Sequence, residues 1–258
     1  MTLLPGITNA TEGTSGVLVR GGSPDQNLIL LDETPVYNVT HLFGFVSVFN
    51  PDAIKDLKLY KAGFPARYSG RLSSVIDITS KEGNTKKTAK ELTVGLINSR
   101  FLLEGPLKRK GKDMGTFLAA GRLTNLSLLL LPSYFSYKFD EGGQYLNYNL
   151  YDLNLKWSKT FKNNGQLLFN TYTGNDVWYA KSKDGGLYGK YRVNWGNVTS
   201  SLRYIKPVTQ KVFLKNTLAY SRYGYGIKTS LTEKNASESS SFVYYRALLN
   251  DVLLKKFC

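Results

Sequence analysis

The residues in this chain that could do chemistry are few. His41 is the only histidine and Cys258 the only cysteine. A metal site needs several ligands at set spacings, and nucleophilic catalysis needs a base oriented by a third group. Neither constellation is assembled around these two residues, so no catalytic residue, metal or cofactor is expected. Cys258 sits at the end of the chain, outside any redox motif, and a single cysteine excludes an internal disulfide. Sequons such as Asn38-Val-Thr40 and Asn197-Val-Thr199 arise by chance in so polar a sequence. What remains is charge: 34 Lys and Arg against 19 Asp and Glu, a formal net charge of +15. A nucleic-acid surface would gather these cations into a stripe carried by a known motif. Here they are spread singly, and the one dense group, Leu107 to Lys112, reads as a turn between two strands. Nucleic acid is not an expected partner.

Composition therefore points to an architecture rather than a reaction. The hydrophobic share of 42% suits a packed or embedded chain and excludes a disordered one. No segment approaches the roughly 18 consecutive apolar residues of a membrane-spanning helix. The richest run, Leu126 to Leu131, is interrupted by Ser127 and ended by Pro132. Tyrosine dominates the aromatics, 18 against 13 Phe and 3 Trp, and its half-polar ring suits wet surfaces and the water–lipid boundary. With 24 Gly and no long run at period 3.6, the composition reads as β.

Two textures follow one another. Up to about residue 85, turn residues separate short apolar runs, as expected of a compact α+β unit. Leu28 to Asp32 and Pro35 to Asn38 read as strands joined at Asp32-Glu33-Thr34, and Asn50-Pro51 reads as a cap followed by a helix of a turn or two. From residue 86 onward, long segments alternate at period two. In Tyr148 to Phe161 the odd positions Tyr151, Leu153, Leu155 and Trp157 are apolar, while Asp152, Asn154, Lys156 and Ser158 are polar. Val198, Leu202 and Tyr204 likewise oppose Asn197, Thr199, Ser201 and Arg203. Links at 162–165 and 206–210 are short, and those at 181–189 and 231–241 are longer and polar. That alternation suits an up-and-down barrel in a membrane. A soluble or surface β-rich module binding carbohydrate is the alternative that the same alternation allows.

An ordered set of segments narrows the choice. Gly16 to Asp32, Pro35 to Asn38, His41 to Phe45, Ser47 to Asp56, Lys61 to Tyr68 and Gly70 to Ile78 closely resemble the plug of TonB-dependent receptors, in the form common in Bacteroidota. Glu104-Gly-Pro106, Tyr172 to Asp176 and Trp195-Gly-Asn197 look like the first barrel strands of the same group. The resemblance implies a mainly β chain: the C-terminal part of an α+β plug domain over residues 1–85, then the N-terminal part of an antiparallel transmembrane β-barrel over residues 86–258, about seven strands by its turn signals. It implies energy-dependent uptake of a siderophore, cobalamin, oligosaccharide or peptide across the bacterial outer membrane. Partners would be TonB with its inner-membrane energising complex, outer-membrane lipid, and a surface lipoprotein as a further candidate.

The resemblance also implies roles for residues. Arg20, Arg67, Arg71 and Glu104 are candidates for plug-to-barrel ion pairs, and Tyr151, Leu153, Leu155 and Trp157 for the lipid-facing side. His41 reads as a plug-loop residue at the mouth. Leu155→Arg is then expected to cost about 2–4 kcal/mol near the bilayer midplane, and Lys156→Ala far less. Glu33 departs from the glycine usual in the family's hairpin turn, at about 1 kcal/mol if the turn needs positive φ. Ser69 departs from a second glycine. Met1 to Gly6 lacks the charged and apolar regions of a secretory signal. The expectation is therefore a piece of a longer parent, inactive alone, whose signal peptide and TonB box lie upstream.

Overall fold

The computed structural model describes residues 7–9, 17–61, 63–65, 68, 70–139, 142–210, 212–233 and 243–257. Strands β1 (Ile7–Asn9) and β2 (Val17–Val19) pair antiparallel. Next come β3 (Asn27–Leu31), β4 (Thr34–Pro35), β5 (Thr40–His41), β6 (Val46–Ser47), β7 (Ile54–Tyr60) and β8 (Ser74–Ser80). Four of these form a sheet in the order β4-β3-β8-β7, in which only β3 and β8 are parallel. The β3–β4 turn is two residues long, and Asp32 and Glu33 both have positive φ, 47° and 65°. That conformation matches the twist of a two-residue hairpin, so it recurs there although side chains disfavour it. At Asn50 the expected helix shrinks to one 3-10 turn, Pro51–Ala53. The Asn50 carboxamide caps it by accepting from Asp52 N at 3.0 Å.

The rest of the described chain builds one large sheet. Its strands are β9 (Ala89–Val94), β10 (Asn98–Arg109), β11 (Lys112–Thr124), β12 (Gln144–Thr160), β13 (Gln166–Asp184), β14 (Leu187–Pro207), β15 (Phe213–Glu233) and β16 (Val243–Phe257). Each pairs antiparallel with its sequence neighbours, and β9 and β16 are the two edges. Two short helices, α1 (Leu126–Leu129) and α2 (Leu131–Phe139), fill the link between β11 and β12. Eight strands appear among the described residues rather than about seven, because the short β9 is hydrogen-bonded to β10 as well.

The link expected over 181–189 is also corrected. β13 and β14 stay paired to Asp184 and Leu187, and only Gly185 and Gly186 turn the chain. Both have positive φ, 52° and 92°, which glycine adopts without penalty, so the ladder runs to its tip.

The small unit packs on one face of this sheet. Asp152, Asn154, Lys156 and Ser158 of β12 are buried on that face. So are Asn170 and Asp176 of β13 and Asn197, Thr199 and Ser201 of β14. Tyr172 of β13 joins the small unit's own core of Leu31, Val36, Val48, Ile76 and Ile78. Ala53 likewise packs with Leu102, Leu118 and Ala120 of β10 and β11. On the opposite, outward face Tyr151 and Leu155 are exposed, 44% and 39%, as are Phe169, Leu202 and Leu218. Leu153 and Trp157 are half-buried there, and Trp157 Nε1 donates to Met114 O at 2.9 Å.

Candidate functional site: a buried charge seam

The face shared by the small unit and the sheet is lined with ionised side chains, and three groups of them carry the contact. In the first, Lys156 Nζ of β12 lies 3.1 Å from Asp32 Oδ1 in the β3–β4 turn. It also donates to Ser80 O and Ser80 Oγ, each at 3.0 Å. Both ionic side chains are almost fully buried. The ammonium has three protons and finds three acceptors, so its burial leaves nothing unsatisfied.

The second group centres on Glu33. Its carboxylate pairs with Lys215 of β15 and lies 3.5 Å from Arg203 Nη2 of β14. Arg203 also donates to Asp32 O at 2.6 Å. The side chain that departs from glycine at this turn is thus the one that holds the turn to the sheet. Glu33→Gly should relieve about 1 kcal/mol of backbone strain but forfeit charged hydrogen bonds worth about 1.5–3 kcal/mol. The expected net result is a lower guanidinium midpoint for release of the small unit. A raised midpoint would mean that the strain dominates.

The third group is the densest. β5 and the turn after it carry His41 between two carboxylates of the sheet. His41 Nε2 lies 2.6 Å from Asp152 Oδ1, and His41 Nδ1 meets Asp176 Oδ1. Arg122 of β11 pairs with Asp152, its Nε donating to Oδ2 at 2.6 Å, and its Nη2 donates to Ser47 O at 2.6 Å. The Tyr172 hydroxyl donates to Asp152 at 3.0 Å, and the Tyr148 hydroxyl donates to Asp176. Leu42 N donates to Asp176 Oδ2 at 3.0 Å.

Two carboxylates face two cations, provided the imidazole is protonated. The geometry requires that form, since both ring nitrogens meet acceptors and only the imidazolium donates from both. Burial by itself would lower the His41 pKa. The hydrogen bonds and charges of Asp152 and Asp176 outweigh it and raise the pKa from 6.5 to about 9.

A raised histidine stabilises the folded form fully below its unfolded value and loses that contribution as pH climbs through the folded one. The seam should therefore hold at pH 6 and weaken between pH 6.5 and about 9. The loss should be about 3 kcal/mol. Guanidinium midpoints measured from pH 6 to pH 10 check this. His41→Gln should flatten the profile across that interval, and an unchanged slope would remove His41 as its source.

Beside the cluster, Leu42 and Phe43 both have positive φ, 50° and 54°. For side-chain-bearing residues this stores strain on the order of 1 kcal/mol each, held in place by the surrounding contacts. Here Leu42 N is anchored on Asp176, and the Phe43 ring sits 5.0 Å from that of Trp195 and 6.2 Å from that of Tyr148. The result is a charged cluster edged by an aromatic group, with Phe43 itself 60% exposed.

Three of the residues that the sequence nominates for ion pairing are described. Arg20 is exposed in the turn after β2, and Arg71 is exposed and donates to Gly70 O at 2.9 Å. Glu104 is half-buried on β10 and lines a hollow of about 620 Å³ with Lys55, Lys81 and Lys108. Arg67 and Cys258 lie outside the described residues. Among the described residues, cations that join unit to sheet include His41, Arg122, Lys156, Arg203 and Lys215, with Arg100 3.3 Å from Asp52 in a half-buried pair. His41 is not at a mouth but buried, because its partners, 111 and 135 residues away, close around it. No local pattern around His41 announces them. The polar alternation that carries Asp152 and Lys156 was the available signal.

Residues 1–74 match the family model of the TonB-dependent receptor plug domain. The match makes this segment similar to the plug that TonB-dependent receptors, which are outer-membrane transport proteins, carry. No curated protein and no solved structure matches the chain. Among the described residues no helix is long and apolar enough to cross a membrane, which leaves crossing by strands unaffected. In these terms His41, Asp32 and Glu33 are plug residues, and Arg122, Asp152, Lys156, Asp176, Arg203 and Lys215 are their partners on the sheet.

Proposed function

We propose that the chain supplies a plug and the adjoining wall of a transporter that moves a solute across the bacterial outer membrane at the expense of energy delivered by TonB. The observation that carries this reading is the division of the sheet. Its buried face is polar and holds the plug by ion pairs, while its outward face carries Leu155, Phe169, Leu202 and Leu218. A soluble carbohydrate-binding module would turn its apolar face to a core. Strands of 15 to 21 residues over β12–β16 exceed the roughly 9–11 needed to cross a bilayer.

The plug is assigned residues 1–85 and the wall 86–258, extending the matched region. Lys81 N donates to Ala53 O at 2.8 Å, which supports carrying the plug past the matched region. In this reading Tyr151, Leu153, Leu155 and Trp157 face lipid. Arg20, Arg71 and Glu104 remain candidates for pairs made when the plug shifts. The seam is suited to controlled release, because charge pairs in a polar lumen exchange for water contacts at modest cost. Among the described residues β9 and β16 are the unpaired edges, and a plug packed on one face leaves eight strands no room to close, so transport is assigned to a larger wall.

Brominated acyl chains quench only tryptophans that touch lipid. With the chain in brominated bilayers, Trp157 fluorescence should fall and Trp195 fluorescence persist, each read as the sole tryptophan after the other two, Trp178 included, are changed to Phe. Stronger quenching of Trp195 would reverse the two faces and end the membrane reading. Uptake that survives deletion of TonB would end the transport reading.

A further inference from the structure

The outward face of the large sheet is uneven along its length. Toward the end where β12 turns into β13 it carries the apolar band of Leu155, Phe169, Leu202 and Leu218. Toward the other end the register sets cations side by side. Lys181 pairs with Lys190, and Arg192 with Lys228, with Lys183 and Arg222 on the same face. Outward positions alternate, and along β12–β15 none of them is Asp or Glu. The carboxylates of these strands' middle portions, Asp152 and Asp176, point the other way into the seam. Much of the unbalanced positive charge of the chain is thus displayed on one outward patch.

Within that patch lies a hollow of about 480 Å³ bordered by Arg192, Arg222, Lys228, Asn175, Asn194 and Tyr151. It exists because Gly196, Gly224 and Gly226 occupy neighbouring ladder positions and bring no side chains. Tyrosines edge the same level: Lys181 Nζ lies 5.3 Å from the Tyr179 ring and 5.9 Å from that of Tyr145. Helix α2 lies beside them through the Tyr134–Tyr145 contact, exposing Leu131, Phe135 and Phe139. The order along the sheet, apolar band and then tyrosines with cations, repeats the order of a leaflet from acyl chain to headgroup.

We propose that this hollow binds the phosphate groups of lipid headgroups, in the leaflet that meets the end of the sheet bearing α2. The inference rests on the membrane reading above. The cations supply the attraction, and the glycines let a headgroup approach the strand backbone. Asn175 and Asn194 offer hydrogen bonds that a phosphate oxygen accepts. The patch commits to lipid rather than a soluble anion because it lies directly beyond the apolar band.

The test exports the 258-residue chain behind a signal peptide and extracts it from the outer membrane in mild detergent. It is titrated with diphosphorylated lipid A and with the same lipid freed of phosphate, and bound lipid is read by native mass spectrometry. Binding should require phosphate and weaken about a hundredfold in the combined Arg192→Gln, Arg222→Gln, Lys228→Gln variant, the effect of three surface cations. Lys86→Gln, Lys87→Gln and Lys90→Gln together remove the same charge at the opposite edge and should change binding by less than about threefold. Equal losses in the two variants, equal binding of the dephosphorylated lipid, or displacement by equimolar inorganic phosphate would each overturn the proposal. Trp157 left unquenched by lipid overturns the membrane reading and this inference together. Trp157 quenched by lipid, but with no preference for phosphate, overturns this inference alone.

Discussion

Arg122→Ala is expected to cost about 3–5 kcal/mol of plug docking, because it leaves a carboxylate buried with half its compensation gone. Asp152 is fully buried and accepts from Arg122, His41 and Tyr172. Removing the guanidinium turns a set of two cations and two carboxylates into one with net negative charge, out of reach of water. It also frees Ser47 O, which accepts from Arg122 at 2.6 Å. Hydrogen exchange at the Leu42 amide, which donates across the seam to Asp176, reads the cost, since release of the plug frees it. A loss below about 1 kcal/mol would mean that the cluster is hydrated and behaves like a surface pair. The double variant Arg122→Ala, Asp152→Ala should cost less than the sum of the single changes, because it leaves no lone charge from that pair.

Lys156→Ala should cost about 3–5 kcal/mol by the same logic, equal to or greater than the roughly 2–4 kcal/mol of Leu155→Arg. Alternation alone ranks them the other way, with position 156 on a tolerant polar side. The structure reverses that ranking. Lys156 is buried against Asp32 and Ser80, so truncation strands the Asp32 carboxylate beneath the plug. The two variants should also fail differently. Leu155→Arg should lower the yield of folding into bilayers while leaving the plug protected from exchange. Lys156→Ala should insert normally and release the plug, freeing the Leu42 amide to exchange. Equal loss of insertion by both would place Lys156 on the lipid side and refute the assignment of faces.

The reason for the reversal separates what is local in this molecule from what is not. A period of two needs only neighbouring residues, so the strands β12 and β14 and the opposition of Leu155 to Lys156 were readable directly. So was the hairpin at Asp32–Glu33, whose turn lies between two short apolar runs. The tight Gly185–Gly186 turn was less readable, because polar residues around it resemble a loop until the ladder is seen to continue to Asp184. Taken locally, Glu33 is only a cost to the turn. Its value as an anchor depends on Lys215, 182 residues away.

The sequence by itself determined the β class, the change of texture near residue 85, the two unlike sides of the strands, and the kinship of the first segment to a plug. These follow from side-chain alternation, turn chemistry and an ordered run of segments, all written within a few residues of one another. Only the tertiary structure decided which charges meet. His41 is joined to Asp152 and Asp176 across 111 and 135 residues, and Lys156 to Asp32 across 124. A buried ion pair is set by three-dimensional closure and by the cost of leaving a charge without a partner, and neither has any period along the chain.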